Sequence, residues 1–427
     1  MGSLYLWLYQ LLFTLALPLV VIRFGWRGRK APAYRERFLE RLGYVPMAQA
    51  DIRPKLWFHA VSLGEMIAAT PLIKQLLIQF PEYQWVITTT TPTGSQRVKA
   101  NFGSQVLHCY VPLDVPLAYN RFLNLLSPQL CIVMETELWP TLIHSVSSRN
   151  IPIMLVNARL SEKSMNGYRR IAPLMRFLLP KLRCVYAQSE ADRQRFIALG
   201  CPDNNVITSG NLKFDIQPKA EAKTVAAALK TAWGADRLVW IAASTHETEE
   251  AFALQAHAKV LEQFPTALLI IVPRHPERFN HVAALITSQG YQLIRRSEKT
   301  IPNAQTQVFL GDTLGELDYF YAAAEVAFVG GSFVSLGGHN LLEPAALSLA
   351  ITTGPTLHNF AEITRLLSEA QAVQVLNHPD HLAEAVMALF ANPEKRHAMG
   401  KAALAVVKQN QGALKKTLQG ICEVVEK

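Results

Sequence analysis

Carboxylates follow several apolar runs of this sequence, at positions where a strand would end and a substrate could arrive. Glu65 follows the run 56–60 through a short glycine turn, and Glu135 and Glu137 come directly after the run 130–134. A carboxylate at the end of a strand can accept a proton from a substrate hydroxyl group. For Glu65 the alternative is a structural one, because an acidic residue also complements the positive end of a helix dipole.

Glu135 and Glu137 stand two positions apart, which would place them on one face of an extended segment. They could bind a divalent cation, but two ligands are few for such a site, and the chain contains no Asp-x-Asp sequence. We therefore expect one of them at the active site and the other in a structural or capping role. Lys213, in the segment 209–215, could neutralise a leaving phosphate, or it could be an ordinary surface lysine.

Two glycine pairs lie close together near residue 335. Gly330 and Gly331 end an apolar run, and Gly337 and Gly338 lead into a predicted helix from Leu341 onward. Glycines let backbone N–H groups approach a ligand, and a helix N-terminus favours an anion. The side chains of Asn340 and Glu343 could then select a sugar or a base. A tight turn between core elements is the alternative.

Other strand ends of the second half carry further candidates. Arg274, in the segment 273–278, could contact a phosphate or a base, and the segment 311–317 is a turn whose amides could bind. Ser244 and Glu247 have the spacing of a helix capping box.

Short apolar runs alternate with helical patterns throughout, which is typical of parallel sheets covered by helices on both faces. A polar, Lys- and Ala-rich stretch, 215–235, interrupts this alternation of strands and helices, which then resumes. We therefore predict two doubly wound α/β domains facing a central cleft, with ligands at the carboxyl ends of the strands. The predicted parts are a segment 1–22, a first domain 23–215, and a second domain 216–427 whose last helices pack back on the first. The predicted strands are 56–60, 85–89, 130–134, 153–156, 184–187, 238–242, 267–272, 308–310, 326–329 and 349–352.

The amino-terminal segment 4–22 has no charged residue and is long enough to cross a bilayer. Seven basic and two acidic residues lie between positions 23 and 41, so the positive-inside rule places the rest of the chain in the cytoplasm. An interfacial helix or a core helix is the alternative. In each membrane-bound arrangement the basic residues would meet anionic headgroups.

The composition narrows the classes of partner. The 427 residues carry a formal charge of +9, which favours an anionic partner. The five cysteines contain no C-x-x-C pair, so a disulfide framework or zinc site is not expected. No nucleic-acid motif is present, so we expect an anionic lipid rather than a nucleic acid near Arg159, Lys163, Arg169 and Arg170, although solvated surface charge would also explain them.

Taken together, the motifs at 59–65, 88–95, 135–140, 157–164, 209–215, 273–277, 311–317 and 330–344 give the chain a strong resemblance to the 3-deoxy-D-manno-octulosonic acid (Kdo) transferases of bacteria. The resemblance runs from end to end. It implies a glycosyltransferase B-type fold with two Rossmann-like domains, located at the cytoplasmic face of the inner membrane. It implies transfer of Kdo from CMP-Kdo to the lipid A precursor (lipid IVA) in lipopolysaccharide biosynthesis, with inversion and without a cofactor or an essential metal.

The resemblance also implies roles for individual residues. Glu65 would be the general base, and Glu135 and Lys213 would stabilise the transition state. CMP would be bound by the following residues: Pro273, Arg274, Leu314, Gly315, Glu316, Asn340, Leu341, Leu342 and Glu343. Two other functions stay open, namely a related B-type transferase that uses another nucleotide sugar and a non-catalytic membrane-attached sensor.

Overall fold

The computed structural model describes residues 1–30, 32–45 and 51–426, and contacts between residues divide the chain into two compact units. The first unit comprises residues 1–215 and 411–427, and the second comprises 216–410. Each unit is built on its own parallel sheet.

The first unit begins with a long helix and continues as alternating strands and helices. Its elements are α1 (Gly2–Lys30), β1 (Lys55–His59), α2 (Leu63–Gln79), β2 (Gln84–Thr89), α3 (Pro92–Phe102), β3 (Leu107–Tyr110), α4 (Pro116–Leu126), β4 (Leu130–Met134), α5 (Pro140–Ser147), β5 (Ile153–Ala158), α6 (Glu162–Arg169), α7 (Ala172–Leu178), β6 (Cys184–Ala187), α8 (Glu190–Ala198) and β7 (Val206–Thr208).

The seven strands of this sheet lie in the order β3-β2-β1-β4-β5-β6-β7, and all pairs are parallel. The central strands are buried on both faces, as the apolar composition of their runs requires. The direction of strand addition reverses between β1 and β4. At such a switch point the loops after the two strands diverge to opposite faces and leave a crevice for a ligand.

The second unit repeats this design. Its elements are α9 (Ala222–Trp233), β8 (Val239–Thr245), α10 (Glu249–Gln263), β9 (Leu268–Pro273), α11 (Phe279–Ser288), β10 (Leu293–Arg295), β11 (Val308–Leu310), α12 (Leu317–Ala323), β12 (Val326–Val329), α13 (Leu342–Ala346), β13 (Ala350–Thr353), α14 (Ala361–Glu369), β14 (Val373–Val375), α15 (His381–Ala391) and α16 (Pro393–Asn410). The order of its parallel strands is β10-β11-β9-β8-β12-β13-β14, so its switch point lies between β8 and β12.

The sequence predicted the ten interior strands and missed four. The missed strands β3, β7, β10 and β14 are the edge strands of the two sheets. They have only three or four residues and are partly exposed. A short strand with one paired side has no long apolar run, and therefore it gives a weak signal in the sequence.

The chain returns to the first unit through its last helix, α17 (Ala413–Val425). The carboxylate of Asp215 accepts hydrogen bonds from the backbone N–H groups of Gly412 and Leu414, each at 2.7 Å. The residue at which the chain leaves the first unit therefore caps the helix with which it returns. Helix α17 packs against α2, the helix that carries Glu65.

Helix α1 is longer than the predicted segment 4–22 and contains Pro18. It is long and apolar enough to cross a membrane, and most of its surface is exposed.

The packing of α17 predicts the effect of a glycine substitution. A Cβ atom at Gly420 would lie 1.5 Å from the hydroxyl oxygen of Tyr186, whereas a Cβ at Gly167 in α6 would meet nothing within 4 Å. Alanine is the better helix former at both sites, by up to about 1 kcal/mol. We expect Gly167→Ala to be neutral or stabilising, and Gly420→Ala to lower the stability of the first unit by about 1–3 kcal/mol through overpacking. Thermal unfolding followed by circular dichroism measures both, and equal melting temperatures for the two variants would contradict the packing described.

Candidate active site

Glu65 lies at the third position of α2 and caps that helix. Its carboxylate accepts hydrogen bonds from the backbone N–H groups of Val61 at 2.8 Å and Ser62 at 3.2 Å, and the hydroxyl of Ser62 accepts from the N–H of Glu65. This reciprocal arrangement is a capping box. The structural alternative for Glu65 is thus present in the molecule. Each carboxylate oxygen still has a lone pair that a substrate hydroxyl could meet.

The position of Glu65 also changes its acidity. The residue is only 7% exposed, and burial raises the pKa of the carboxyl group to about 7. Hydrogen bonds with the backbone N–H of Val61 and with Ser62 act in the opposite direction, while the negative charges of Glu137 and Glu135 raise the pKa further. A carboxylate with a pKa near 7 is suited to general base catalysis at neutral pH.

The two carboxylates after β4 lie in a turn. Glu135 has a φ of 56°, so the predicted extended geometry of this segment is wrong at Glu135. A left-handed backbone is costly for a residue other than glycine and occurs where the surrounding structure enforces it. Here the N–H of Glu135 bonds to the carbonyl of Val156 on β5. The indole N–H of Trp139 donates to Glu137 at 2.6 Å, and burial raises the pKa of both carboxyl groups.

Lys213 stands in a single 3₁₀ turn that buried amide side chains hold in place. The side chain of Asn211 accepts from the N–H of Lys213, and that of Asn157 accepts from the N–H of Leu212, both at 3.0 Å. Gln188 links the two asparagines, because it accepts from the Asn211 side chain and donates to the Asn157 carbonyl. Asn157 itself has a φ of 52°.

Glu65, Glu135 and Lys213 all lie beyond the carboxyl ends of strands of the first sheet. The charges of Glu135 and Glu137 act on Glu65, and the charges of Lys213 and Arg159 lower the pKa of Glu135 against the effect of burial. Glu65 and Glu135 follow β1 and β4, the two strands that flank the switch point, where a ligand is expected, and Lys213 follows β7. The structure therefore brings together the three residues for which the sequence predicted catalytic roles.

The glycine loop after β12 differs from its predicted role. The N–H groups of Gly331, Ser332 and Phe333 all donate to the carboxylate of Glu249, at 2.7 to 3.0 Å. Glu249 is fully buried and also accepts from the N–H of His246. Because this internal anion occupies the amides, the idea that the first glycine pair binds a ligand phosphate through these N–H groups is wrong.

The second glycine pair leads into α13, which is a single five-residue turn rather than a long helix. Asn340 accepts from the N–H of Leu342 and donates to the carboxylate of Glu343 at 3.2 Å. Desolvation raises the pKa of Glu343 to about 7. Leu341 and Leu342 are completely buried, and the N–H of Leu342 and the carbonyl of Leu341 are bonded within the protein, so neither residue is accessible to a ligand here.

Two imidazole rings meet at the switch point of the second sheet. His246 follows β8 and His339 follows the loop after β12. Their rings are stacked at 5.1 Å, with 2.8 Å between the Nε2 atoms. His275 packs edge-on against His246, and the positive charge of Arg274 lowers the pKa of both stacked rings. Burial is the larger cause and brings the pKa of His339 to about 4. The His339 ring is therefore neutral at pH 7, and both rings lie beside the exposed Arg274.

The turn 311–317 contributes an exposed Leu314 and the left-handed Gly315. The ammonium group of Lys219 donates to the Gly315 carbonyl at 2.5 Å. The carboxylate of Glu316 is paired with Arg296 at 2.6 Å and accepts from the hydroxyl of Thr313. Since the carboxylate has internal partners, the turn offers its main chain more readily than the Glu316 side chain.

No motif in the sequence pointed to Glu249 or to the link through Gln188. The predicted capping box of Ser244 and Glu247 is wrong, because α10 begins only at Glu249 and Ser244 has a φ of 54°. The side chain of Glu247 is 83% exposed. Three acidic residues, Glu247, Glu249 and Glu250, lie within three positions of the start of α10, and the sequence does not show that the last two are the buried ones.

Within the described part of the chain, no group of three His, Cys, Asp or Glu side chains has a metal-binding arrangement. Two doubly wound parallel sheets in one chain are the architecture of the glycosyltransferase B-type fold. The chain belongs to the Kdo transferase family. It is 44% identical to the 3-deoxy-D-manno-octulosonic acid transferase of Haemophilus influenzae, over 96% of both chains.

A family model, a second relative and a solved structure agree with this family and fold. The family model named 3-Deoxy-D-manno-octulosonic-acid transferase (kdotransferase) matches residues 36–216. The transferase of Bordetella pertussis is 36% identical over 96% of this chain and 98% of its own. A putative UDP-N-acetylglucosamine 2-epimerase from Listeria monocytogenes shares the fold, with a TM-score of 0.53 over 88% of this chain and 97% of its own at 15% identity.

Because Glu249 accepts several backbone hydrogen bonds, we expect replacement of its carboxylate to destabilise the second unit strongly. In Glu249→Gln one oxygen becomes an NH₂ group that faces N–H donors, so at least one buried amide loses its partner. We expect the second unit to lose about 2–3 kcal/mol of stability. Glu247→Gln, on the exposed side chain two positions earlier, is the matched control and should leave stability unchanged. Urea unfolding measures the difference, and a Glu249→Gln variant as stable as the control would refute this role of the carboxylate.

Proposed function

We propose that this enzyme transfers Kdo from CMP-Kdo to a lipid A precursor in lipopolysaccharide biosynthesis, with inversion of the anomeric carbon and without an essential metal ion. The proposal rests on the family and on one observation in particular. That observation is the buried carboxylate of Glu65, whose pKa is about 7, at the switch point of the first sheet.

One bond forms and one bond breaks at the anomeric carbon during the reaction. An acceptor hydroxyl oxygen attacks the anomeric carbon of Kdo, while the bond from this carbon to the CMP phosphate oxygen breaks and CMP keeps the electron pair. Glu65 accepts the hydroxyl proton. Its carboxylate is held by the N–H groups of Val61 and Ser62, so it is already oriented before substrate binds.

Lys213 and Glu135 would stabilise the transition state. A fixed ammonium group can neutralise negative charge that develops on the departing phosphate monoester. The buried amides of Asn157, Gln188 and Asn211 fix the backbone of the 3₁₀ turn, which supports a role that depends on position. Glu135, which has a left-handed backbone at the end of β4, would favour the cationic character of the reacting sugar.

The second unit would bind the donor. Arg274 would contact the CMP phosphate, and Pro273 and the main chain of Leu314, Gly315 and Glu316 would line the same site. Asn340 and Glu343 would contact the nucleotide, and the buried Leu341 and Leu342 between them would hold these two side chains in position. A Glu343 whose pKa is about 7 could donate or accept a hydrogen bond to a base.

The first unit would bind the acceptor at the membrane. An acylated, phosphorylated disaccharide fits a chain with a formal charge of +9 and an apolar amino-terminal helix. We place the enzyme at the cytoplasmic face of the inner membrane, where basic residues after position 22 would meet anionic lipids. On this view residues 23–215 form the acceptor domain and the segment from 216 forms the donor domain.

The role of Glu65 predicts that Glu65→Gln inactivates the enzyme without unfolding it. Glutamine also serves at this position of a capping box, so α2 should keep its N-terminus. We expect kcat to fall roughly 100- to 10,000-fold, the usual contribution of a general base. The assay is formation of the Kdo-lipid product from CMP-Kdo and lipid A precursor, read by mass spectrometry, with CMP affinity and melting temperature measured in parallel. Glu162→Gln, at the exposed start of α6, is the control.

Near-normal turnover in Glu65→Gln would remove Glu65 from the role of base. Transfer from UDP-sugars in preference to CMP-Kdo by the unsubstituted protein would instead contradict the proposed donor.

The raised pKa predicts the pH dependence of turnover. The base must be ionised, so activity is present above the pKa of Glu65 and is lost as the pH falls through about 7, by about tenfold per pH unit. Glu137→Gln removes a neighbouring negative charge and should move this midpoint to lower pH. The profile is measured as kcat at saturating donor, because Glu343 titrates in the same range and affects binding. A midpoint that stays fixed or rises in Glu137→Gln would contradict the coupling.

A further inference from the structure

The amino-terminal end of α1 is packed against the first unit by one face of the helix. Leu6 is 4% exposed, and a Cβ atom at Gly2 would lie 2.4 Å from the Cβ of Phe177 on α7. The hydroxyl of Tyr9 donates to the carboxylate of Asp114 at 2.8 Å. Residues 2, 6 and 9 have the spacing of a single helix face, so these are contacts of one continuous surface.

The partner of Tyr9 is a fixed part of the fold. Asp114 is 4% exposed, and its carboxylate also accepts from the N–H groups of Thr141 and Leu142 at the start of α5. The hydroxyl of Thr141 donates to the Asp114 carbonyl. The contact therefore ties α1 to the helix that directly follows the turn containing Glu135.

The other end of α1 is attached to the same unit. The guanidinium group of Arg35 donates twice to the carbonyl of Gly25, at 2.8 and 3.1 Å. The guanidinium of Arg41, which is completely buried, lies between the rings of Phe24 at 4.5 Å and Tyr110 at 4.2 Å. Tyr110 ends β3, so this contact reaches the first sheet.

Two attached ends are incompatible with a spanning helix. The hydrocarbon core of a bilayer is about 30 Å thick, so a helix that crosses it places its two ends on opposite sides. Here Gly2–Tyr9 and Phe24–Gly25 both contact residues of one folded unit, which can occupy only one side. A spanning arrangement would have to break the contacts of one end and leave Asp114 without its tyrosine.

The outer face of α1 has the chemistry of a lipid-facing surface. Its large side chains are 41–69% exposed, and they recur every three or four residues: Leu4, Trp7, Leu8, Leu11, Leu12, Leu15, Leu19, Ile22 and Trp26. Arg23, Arg27 and Arg29 are exposed beside the carboxyl end of this face. An apolar stripe followed by arginines matches the acyl boundary and the anionic headgroups of a phospholipid surface.

We propose that α1 does not cross the membrane but lies in the plane of its cytoplasmic surface, with its outer face in an anionic phospholipid layer and its inner face on the first unit. The helix is apolar on both faces because one contacts protein and the other contacts lipid, which explains why its sequence resembles a span. This inference rests on the membrane location proposed above, but not on the transfer reaction.

Depth measurements on full-length protein bound to vesicles of phosphatidylethanolamine and phosphatidylglycerol test the inference. Single cysteines replace Leu4, Leu12 and Ile22 in a chain with Cys184→Ala and Cys422→Ala, and each carries a bimane label. A helix in the plane places all three labels at one shallow depth, measured by quenching with spin-labelled lipids. A label at position 12 that lies much deeper than those at 4 and 22 would show a spanning helix and overturn the proposal.

The side on which the amino terminus lies gives a second measurement. Protein bound from outside the vesicles is treated with a membrane-impermeant maleimide, using Ser3→Cys and the exposed Lys395→Cys as the reference for the outer side. We expect both cysteines to react at similar rates. Protection of Ser3→Cys until the vesicles are lysed would overturn the proposal, as would failure of the protein to bind the vesicles.

Transfer is assayed separately with detergent-dispersed acceptor. An enzyme that binds vesicles as described but forms no Kdo-lipid product would contradict the proposed function and leave the orientation of α1 intact. Normal transfer by a protein whose α1 spans the bilayer would support the proposed function and overturn the proposed orientation of α1.

Discussion

Backbone N–H groups at the ends of buried parallel strands need hydrogen-bond partners, and in both units a buried carboxylate supplies them. Glu249 accepts from the loops after β8 and β12, and Glu65 accepts from the loop after β1. Without such a partner each buried amide would cost about 1–3 kcal/mol. The loop after β1 in the first unit, and the loops after β8 and β12 in the second, therefore depend on these two acids for their conformation.

The carboxylates of Glu249 and Glu65 differ in how many further hydrogen bonds they can accept. Glu249 is fully buried and bonds four amides, so it has a structural role. Glu65 bonds two amides, and its pKa is raised mainly by burial and further by the nearby charges of Glu137 and Glu135. Capping and catalysis are consequently compatible at Glu65, because the hydrogen bonds that cap α2 also orient the base.

The sequence was a good guide to the interior of each sheet and a poor guide to its edges and loops. A run such as Leu130–Met134 must be apolar throughout because both of its faces are buried, and this pattern is legible without a structure. Edge strands such as β3 and β14 carry no such requirement. The glycine loop at Gly331 has a composition that suits a phosphate or an internal carboxylate equally, so the sequence could not exclude Glu249 as its partner.

The sequence by itself determined the two doubly wound sheets, the family, and the residue types that stand after β1, β4 and β12, since local apolar patterning and strand-end motifs are properties of short segments. Only the tertiary structure decided which carboxylate caps a helix, that Asn157, Gln188 and Asn211 hold the turn of Lys213, and that both ends of α1 rest on one unit. These outcomes depend on contacts between residues far apart in the chain. Hydropathy records how apolar a helix is, but not whether protein or lipid covers it.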